Sequence, residues 1–275
     1  MSPNERRSEE LAAFDRLLTI MDELREKCPW DRKQTLESLR HLTIEETYEL
    51  SDAILDQDLD EVKKELGDLL LHMVFYAKIA SETKAFDIAD VLNAICEKLI
   101  RRHPHIYPDE TGATISADTE DQVKQNWEQL KLKEGNKSVL AGVPKSLPAL
   151  VKAMRIQEKA RGAGFDWEEK SQVWEKVSEE IMEFRELISP DSGQPVDQQA
   201  AEAEFGDVLF SLVNYARFVD LNPETALERT NRKFIRRFSY LETHARAEGK
   251  ALHQMSLAEM DEYWERAKKE EKDIS

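Results

Sequence analysis

A cluster of acids is written twice in this chain, and it restricts the possible folds more than any other feature. Glu45-Glu46-Thr47-Tyr48-Glu49 is followed by Glu65-Leu66-Gly67-Asp68, and Glu179-Glu180-Ile181-Met182-Glu183 by Glu204-Phe205-Gly206-Asp207. Each copy reads EExxE, a gap, then ExGD opening an apolar run. Residues three and four apart share one helix face, so Glu46/Glu49, Glu65/Asp68, Glu180/Glu183 and Glu204/Asp207 can each converge from a single helix. An antiparallel hairpin would face one pair of each copy against the other. Carboxylates gathered in this way repel unless a cation neutralises them. An all-oxygen set suits magnesium, with manganese as a substitute, and magnesium among carboxylates points to phosphate chemistry. Charged helix faces are ordinarily just solvated. Here Leu69, Leu70, Leu71 and Val74 accompany one motif and Val208, Leu209, Phe210 and Leu212 the other, which argues for a site.

The periodicity around the motifs is helical throughout. Helices are expected over residues 9–27, 36–55, 61–80, 87–102, 123–133, 147–161, 198–219, 223–247 and 257–269, with a long one through the second acid motif to Ile188. Nothing reads as a strand pair. The repeat extends beyond the acids: Tyr76 answers Tyr215, Lys98-Leu99-Ile100-Arg101-Arg102 answers Lys233-Phe234-Ile235-Arg236-Arg237, Trp127 answers Trp264, and Trp30 answers Trp167 more loosely. Order held across small changes of spacing marks a duplicated domain. The expected organisation is all-α and tandem: residues 1–134, a linker at 135–147 with Gly135, Gly142 and Pro144, and residues 148–275.

Composition bounds the function. The chain of 275 residues is 40% hydrophobic and 35% charged, with 9 Gly and 9 Pro, as for a folded helical protein. A net charge of −17 argues against nonspecific binding to nucleic acid or to an anionic membrane. No apolar run reaches the roughly 20 residues that span a bilayer, and the polar start lacks a signal-peptide core. With only Cys28 and Cys96, no disulfide framework or metal spacing is present. A cytoplasmic setting is expected.

Binding an anionic nucleotide then requires a metal and a local basic cluster. Lys233, Arg236 and Arg237 lie at i, i+3, i+4 and can form one patch for phosphate oxygens; Lys98, Arg101 and Arg102 repeat it. Trp264 and Trp127 are placed either to stack on a base or to cap the core. Glu-x-x-His, which a carboxylate-bridged di-iron site needs, does not occur, and His72 reads as a packed histidine. The glycines before the aspartates, Gly67 and Gly206, cost roughly 1 kcal/mol of helix propensity and suggest close helix packing or ligand approach. The chemistry on offer is metal-assisted attack of water on a phosphoryl group. Glu45 and Glu179, the extra first acids, are candidates to orient or deprotonate that water.

EExxE followed by ExxD resembles the signature of the all-α nucleoside triphosphate pyrophosphohydrolases. With Cys28-Pro29-Trp30-Asp31, Arg101-Arg102-His103-Pro104-His105 and Gly164-Phe165-Asp166-Trp167, nearly the whole chain resembles the tandem MazG branch of that family. The resemblance implies magnesium-dependent hydrolysis of NTPs and dNTPs to the NMP and pyrophosphate, by water attack at the α-phosphorus, in a homodimer. It implies that the second domain is the active one, with Glu180, Glu183, Glu204 and Asp207 as ligands, Lys233, Arg236 and Arg237 on the triphosphate, and Trp264 near the nucleotide. Glu46, Glu49, Glu65 and Asp68, with Lys98, Arg101, Arg102 and Trp127, form a second possible site. Two departures stand out. The family can place a lysine four residues before the ExxD glutamate, where this chain has Ala200, and Cys96 occupies the first-repeat counterpart of Asn231. A narrow hydrolase of non-canonical nucleotides and a non-catalytic nucleotide sensor are the alternative readings.

Overall fold

The computed structural model describes residues 2–108, 119, 122–123, 126–127 and 138–274, with side chains described as far as Glu271. The chain divides into two compact units, Met1–Ser116 and Ala117–Ser275. Among the described residues the structure is helical, relieved by short 3₁₀ turns and an isolated bridge between Ile188 and Pro195. The helix expected at 123–133 lies almost wholly outside the described residues.

In the first unit, α1 (Pro3–Lys27), α2 (Leu36–Asp56), α3 (Leu59–Glu82) and α4 (Ile88–Arg102) follow the expected pattern. α1 begins earlier than its apolar stripe because Ser2 and Glu5 form a capping box with Pro3 in the first turn. A short left-handed step ends α2 at Gln57 (φ 58°), and the Asp58 carboxylate then receives the amides of Asp60 and Glu61 to start α3. The two acid helices thereby fold back on each other. α1 lies along α3, and Met21, Leu39, Val74 and Phe75 form the core with Phe14, Leu17, Leu42 and Ile88 around them. Where the hairpin helices meet, the hydroxyls of Thr43 and Tyr76 are 2.6 Å apart.

Arg25 ties the ends of this unit together. It donates to Glu82 at 2.6 and 3.0 Å, to the Gln34 carbonyl at 3.1 Å, and to the Asp31 carbonyl. The hydrogen bonds from Arg25 hold the Glu82 carboxyl below its usual range. A carboxyl depressed in the folded state contributes stability that is present above its unfolded pKa and lost as pH falls through the folded value. Thermal unfolding of the wild type and of Glu82→Gln should therefore differ at neutral pH, and the difference should begin to shrink near about pH 4 and vanish as pH falls through the lower folded value; a difference that does not shrink on acidification would refute the linkage.

The second unit opens with α5 (Ala149–Gly162), followed by α6 (Lys170–Glu186), α7 (Gln198–Phe218), α8 (Pro223–Ala247) and α9 (Leu257–Ile274). α6 pairs with α7 and α5 packs on α7, as α2 pairs with α3 and α1 packs on α3. α8 and α9 form a further hairpin around Leu241, Ala245 and Tyr263. The Tyr263 hydroxyl donates to Glu248 at 2.5 Å and accepts from Lys250 at 3.0 Å.

Candidate metal centre

The folded-back helices bring the acids together. One carboxylate oxygen from each of Glu46, Glu49 and Glu65 lies within 4.8 Å of the others, and the same holds for Glu180, Glu183 and Glu204. Asp68 and Asp207 fall outside these triplets, although both stay close. Asp68 adds to the negative field on Glu46 and Glu65, and Asp207 lines a cavity beside Glu180. Burial, then neighbouring carboxylates, push Glu46 and Glu49 above the ordinary range, while Glu65 is raised by burial and by its hydrogen bond with Glu46. The Oε2 of Glu65 is buried without a hydrogen-bond partner. Hard oxygen donors, mutual repulsion and an orphaned buried carboxylate oxygen fit a divalent cation.

In the second cluster Glu180 rather than the ExGD glutamate is the buried acid, and a lysine joins it. Lys176, one turn before Glu180, donates to Glu180 at 2.8 Å and to Glu179 at 3.0 Å. Hydrogen bonds to these acids make the ammonium hold its proton more tightly than usual. Burial and the charges of Glu180 and Glu204 raise Glu183, with Lys176 opposing. The spacing could have revealed this lysine, since i and i+4 share a face. The equivalent first-repeat position is Leu42, packed against that unit's core.

A cavity of about 600 Å³ opens beside Glu180, Asp207 and Lys176, walled by Ile156, Ala160, Phe165, Trp167, Val173 and Phe210. Gln157 lies in its wall and is 7% exposed. Its Nε2 donates to the Phe210 carbonyl at 2.8 Å, which fixes the amide orientation and leaves the buried Oε1 without a partner. Arg217 grips Asp166 with both terminal nitrogens and also donates to Asn214, so the Gly164-Phe165-Asp166-Trp167 turn is pinned to α7. A largely apolar chamber ending in acids and a lysine suits a ligand with one flat apolar end and one charged end.

The basic triad stands apart from the acids. α8 pairs chiefly with α9 and touches α5 more lightly. Arg236 and Arg237 donate to Glu271 at 2.7 and 2.9 Å, and Lys233 shares their helix. Trp264 packs against Phe234 at 5.1 Å, with the Arg237 guanidinium 5.7 Å from its ring. Within one chain it therefore belongs to the α8–α9 hairpin. Lys98, Arg101 and Arg102 end α4, and Trp127 is half-buried. His72 is buried in α3 and its pKa is lowered by that burial, as for a packed histidine. Close helix packing at Gly67 and Gly206 is not met: among the described residues, a Cβ at either would meet no atom of a neighbouring element within 4 Å.

Comparison with known proteins gives one consistent result. The MazG nucleotide pyrophosphohydrolase domain matches the chain twice, over residues 34–107 and 168–241. The nucleoside triphosphate pyrophosphohydrolase/pyrophosphatase MazG of Thermotoga maritima is 44% identical, covering 93% of this chain and 95% of its own. The nucleoside triphosphate pyrophosphohydrolase of Escherichia coli K12 is 42% identical, over 95% of this chain and 99% of its own.

Proposed function

Because this chain belongs to the MazG family of nucleotide pyrophosphohydrolases, we infer that it is a nucleoside triphosphate pyrophosphohydrolase, cleaving NTPs and dNTPs to the monophosphate and pyrophosphate by water attack at the α-phosphorus. The observation that carries the site assignment is the continuity of the Glu180, Glu183 and Glu204 cluster with the cavity of the second unit. Magnesium bound there, with manganese as a substitute, would offset charge developing on the phosphate oxygens. Glu180, Glu183 and Glu204 would hold it, with Asp207 beside them. Glu179, exposed next to Glu180 and bonded to Lys176, is proposed to orient the water and accept its proton. The cavity walls would take the base and sugar and exclude solvent from the reacting end.

Lys233, Arg236, Arg237 and Trp264 sit on a hairpin separate from the acids, so we propose that a second copy of the chain completes the substrate site. Ile181, Met182, Phe205 and Leu209 on the acid hairpin, and Leu227, Phe234 and Ile235 on α8, are exposed. Apolar faces of this kind support a homodimer. The first repeat offers a second possible site in Glu46, Glu49, Glu65 and Asp68 with Lys98, Arg101 and Arg102, and turnover is assigned to the second repeat. The domain division is proposed at residues 135–147. No described helix is long and apolar enough to cross a membrane; a cytoplasmic location remains our proposal, as does the lack of a nucleic-acid partner.

Hydrolysis of ATP with magnesium in heavy-oxygen water tests the reaction. AMP and pyrophosphate are expected, with the label in AMP. Label in pyrophosphate would overturn attack at the α-phosphorus, and ADP with phosphate would overturn the pyrophosphohydrolase reading. Binding without turnover of any NTP or dNTP would support a nucleotide sensor instead.

A further inference from the structure

The two acid clusters use matching positions but differ in which carboxylate is buried, Glu65 in the first and Glu180 in the second, and in their counter-ion. In the second, the Lys176 ammonium sits 2.8 Å from Glu180 and 3.0 Å from Glu179, and Glu180 is a member of the triplet. A divalent cation taking Glu180 must displace that ammonium or tolerate it as a near neighbour. Like charges a few ångströms apart repel, the more so in a partly buried site. Lys176 also lines the cavity, so anionic phosphate oxygens there would give it a replacement partner. In the first cluster Leu42 holds the equivalent position and faces the core. Lys64, the basic neighbour of Glu65 in sequence, is committed to Glu61 at 2.6 Å. A second observation at the first cluster is the buried Oε2 of Glu65, an oxygen without a hydrogen-bond partner on a side chain that is 9% exposed and whose carboxyl also bonds Glu46.

We propose that the two repeats take divalent cations under different conditions. The first-repeat cluster binds a cation by itself, as its own counter-ion. At the second, Lys176 guards the acids, and the cation enters together with a nucleotide whose phosphates receive the lysine. This rests on the reading of both clusters as metal sites. It makes Lys176 a positioning residue that couples metal entry to substrate entry, and leaves the first repeat with a resident ion.

Manganese binding to the full-length protein, followed by electron paramagnetic resonance, tests the proposal without relying on turnover. Without nucleotide, a single ion per chain is expected, and Glu65→Gln should remove it. Adding an α,β-methylene nucleoside triphosphate should bring in ions at the second repeat, and Glu180→Gln should prevent that. Lys176→Met should let the second cluster fill without nucleotide, tightening its affinity by roughly ten- to a hundredfold, the range of a charge-assisted hydrogen bond. Lys176→Arg, which keeps the charge, should preserve the nucleotide requirement and shows that loss of folding is not the cause. Equal filling of both clusters in the nucleotide-free wild type, an unchanged second site in Lys176→Met, or an empty first cluster would overturn the proposal while leaving a metal site standing. No binding with or without nucleotide would overturn the metal reading itself.

Discussion

Glu180→Gln is expected to lower NTP turnover by about a thousandfold, whereas Glu46→Gln should cost less than about tenfold. A bound cation supplies several kcal/mol of charge stabilisation, and each 1.36 kcal/mol is tenfold in rate, so loss of a principal ligand reaches this scale. Glu180 is 6% exposed and belongs both to the acid triplet and to the cavity wall. The amide keeps the size but removes the charge, leaving Lys176 less well balanced. Asp207→Asn, at the same cavity, is expected to follow Glu180→Gln. Steady-state release of pyrophosphate, with circular dichroism confirming the fold, measures all three. Equal losses from Glu46→Gln and Glu180→Gln would refute the division of labour between the repeats.

The second large effect concerns stability. Phe75→Ala should destabilise the first unit by about 3–5 kcal/mol, the cost of deleting a buried aromatic ring and leaving a void. Phe75 is 2% exposed and packs with Met21, Leu39 and Val74, while the Arg25 guanidinium lies 5.8 Å from its ring. Denaturant unfolding monitored in the first unit measures the loss. Phe75→Leu, which retains most of the volume, should cost less than about 1.5 kcal/mol. A Phe75→Ala loss under about 1 kcal/mol would show that the neighbours close the gap and that this cluster does not anchor the unit.

Much of this was legible in the sequence because it depends on spacing along one helix. The i, i+3 acids predict shared faces, and the duplicated order predicts a duplicated hairpin; Glu46 and Glu49 do meet Glu65, and Glu180 and Glu183 meet Glu204. The same rule makes Asp68 and Asp207 candidate ligands; they lie beside the two groups of mutually close oxygens, which hold only glutamates. Lys176 was legible and overlooked, since it lies one turn before Glu180. Gln157 was not legible: its amide is fixed by a carbonyl 53 residues away, a contact set by how α5 packs on α7. Nor could the order of motifs show that Arg236 and Arg237 turn to Glu271.

The cavity also bears on how small a working piece of this protein can be. The second family match, 168–241, contains every acid of the second cluster and Lys176, yet Leu140, Ile156, Gln157, Phe165 and Trp167 of the cavity wall all precede it. Trp264 and the buried Tyr263 follow it. A fragment trimmed to the match would keep the candidate ion ligands and Lys176 but lose about half the chamber; on the proposed coupling of cation and nucleotide entry, it would lose both together.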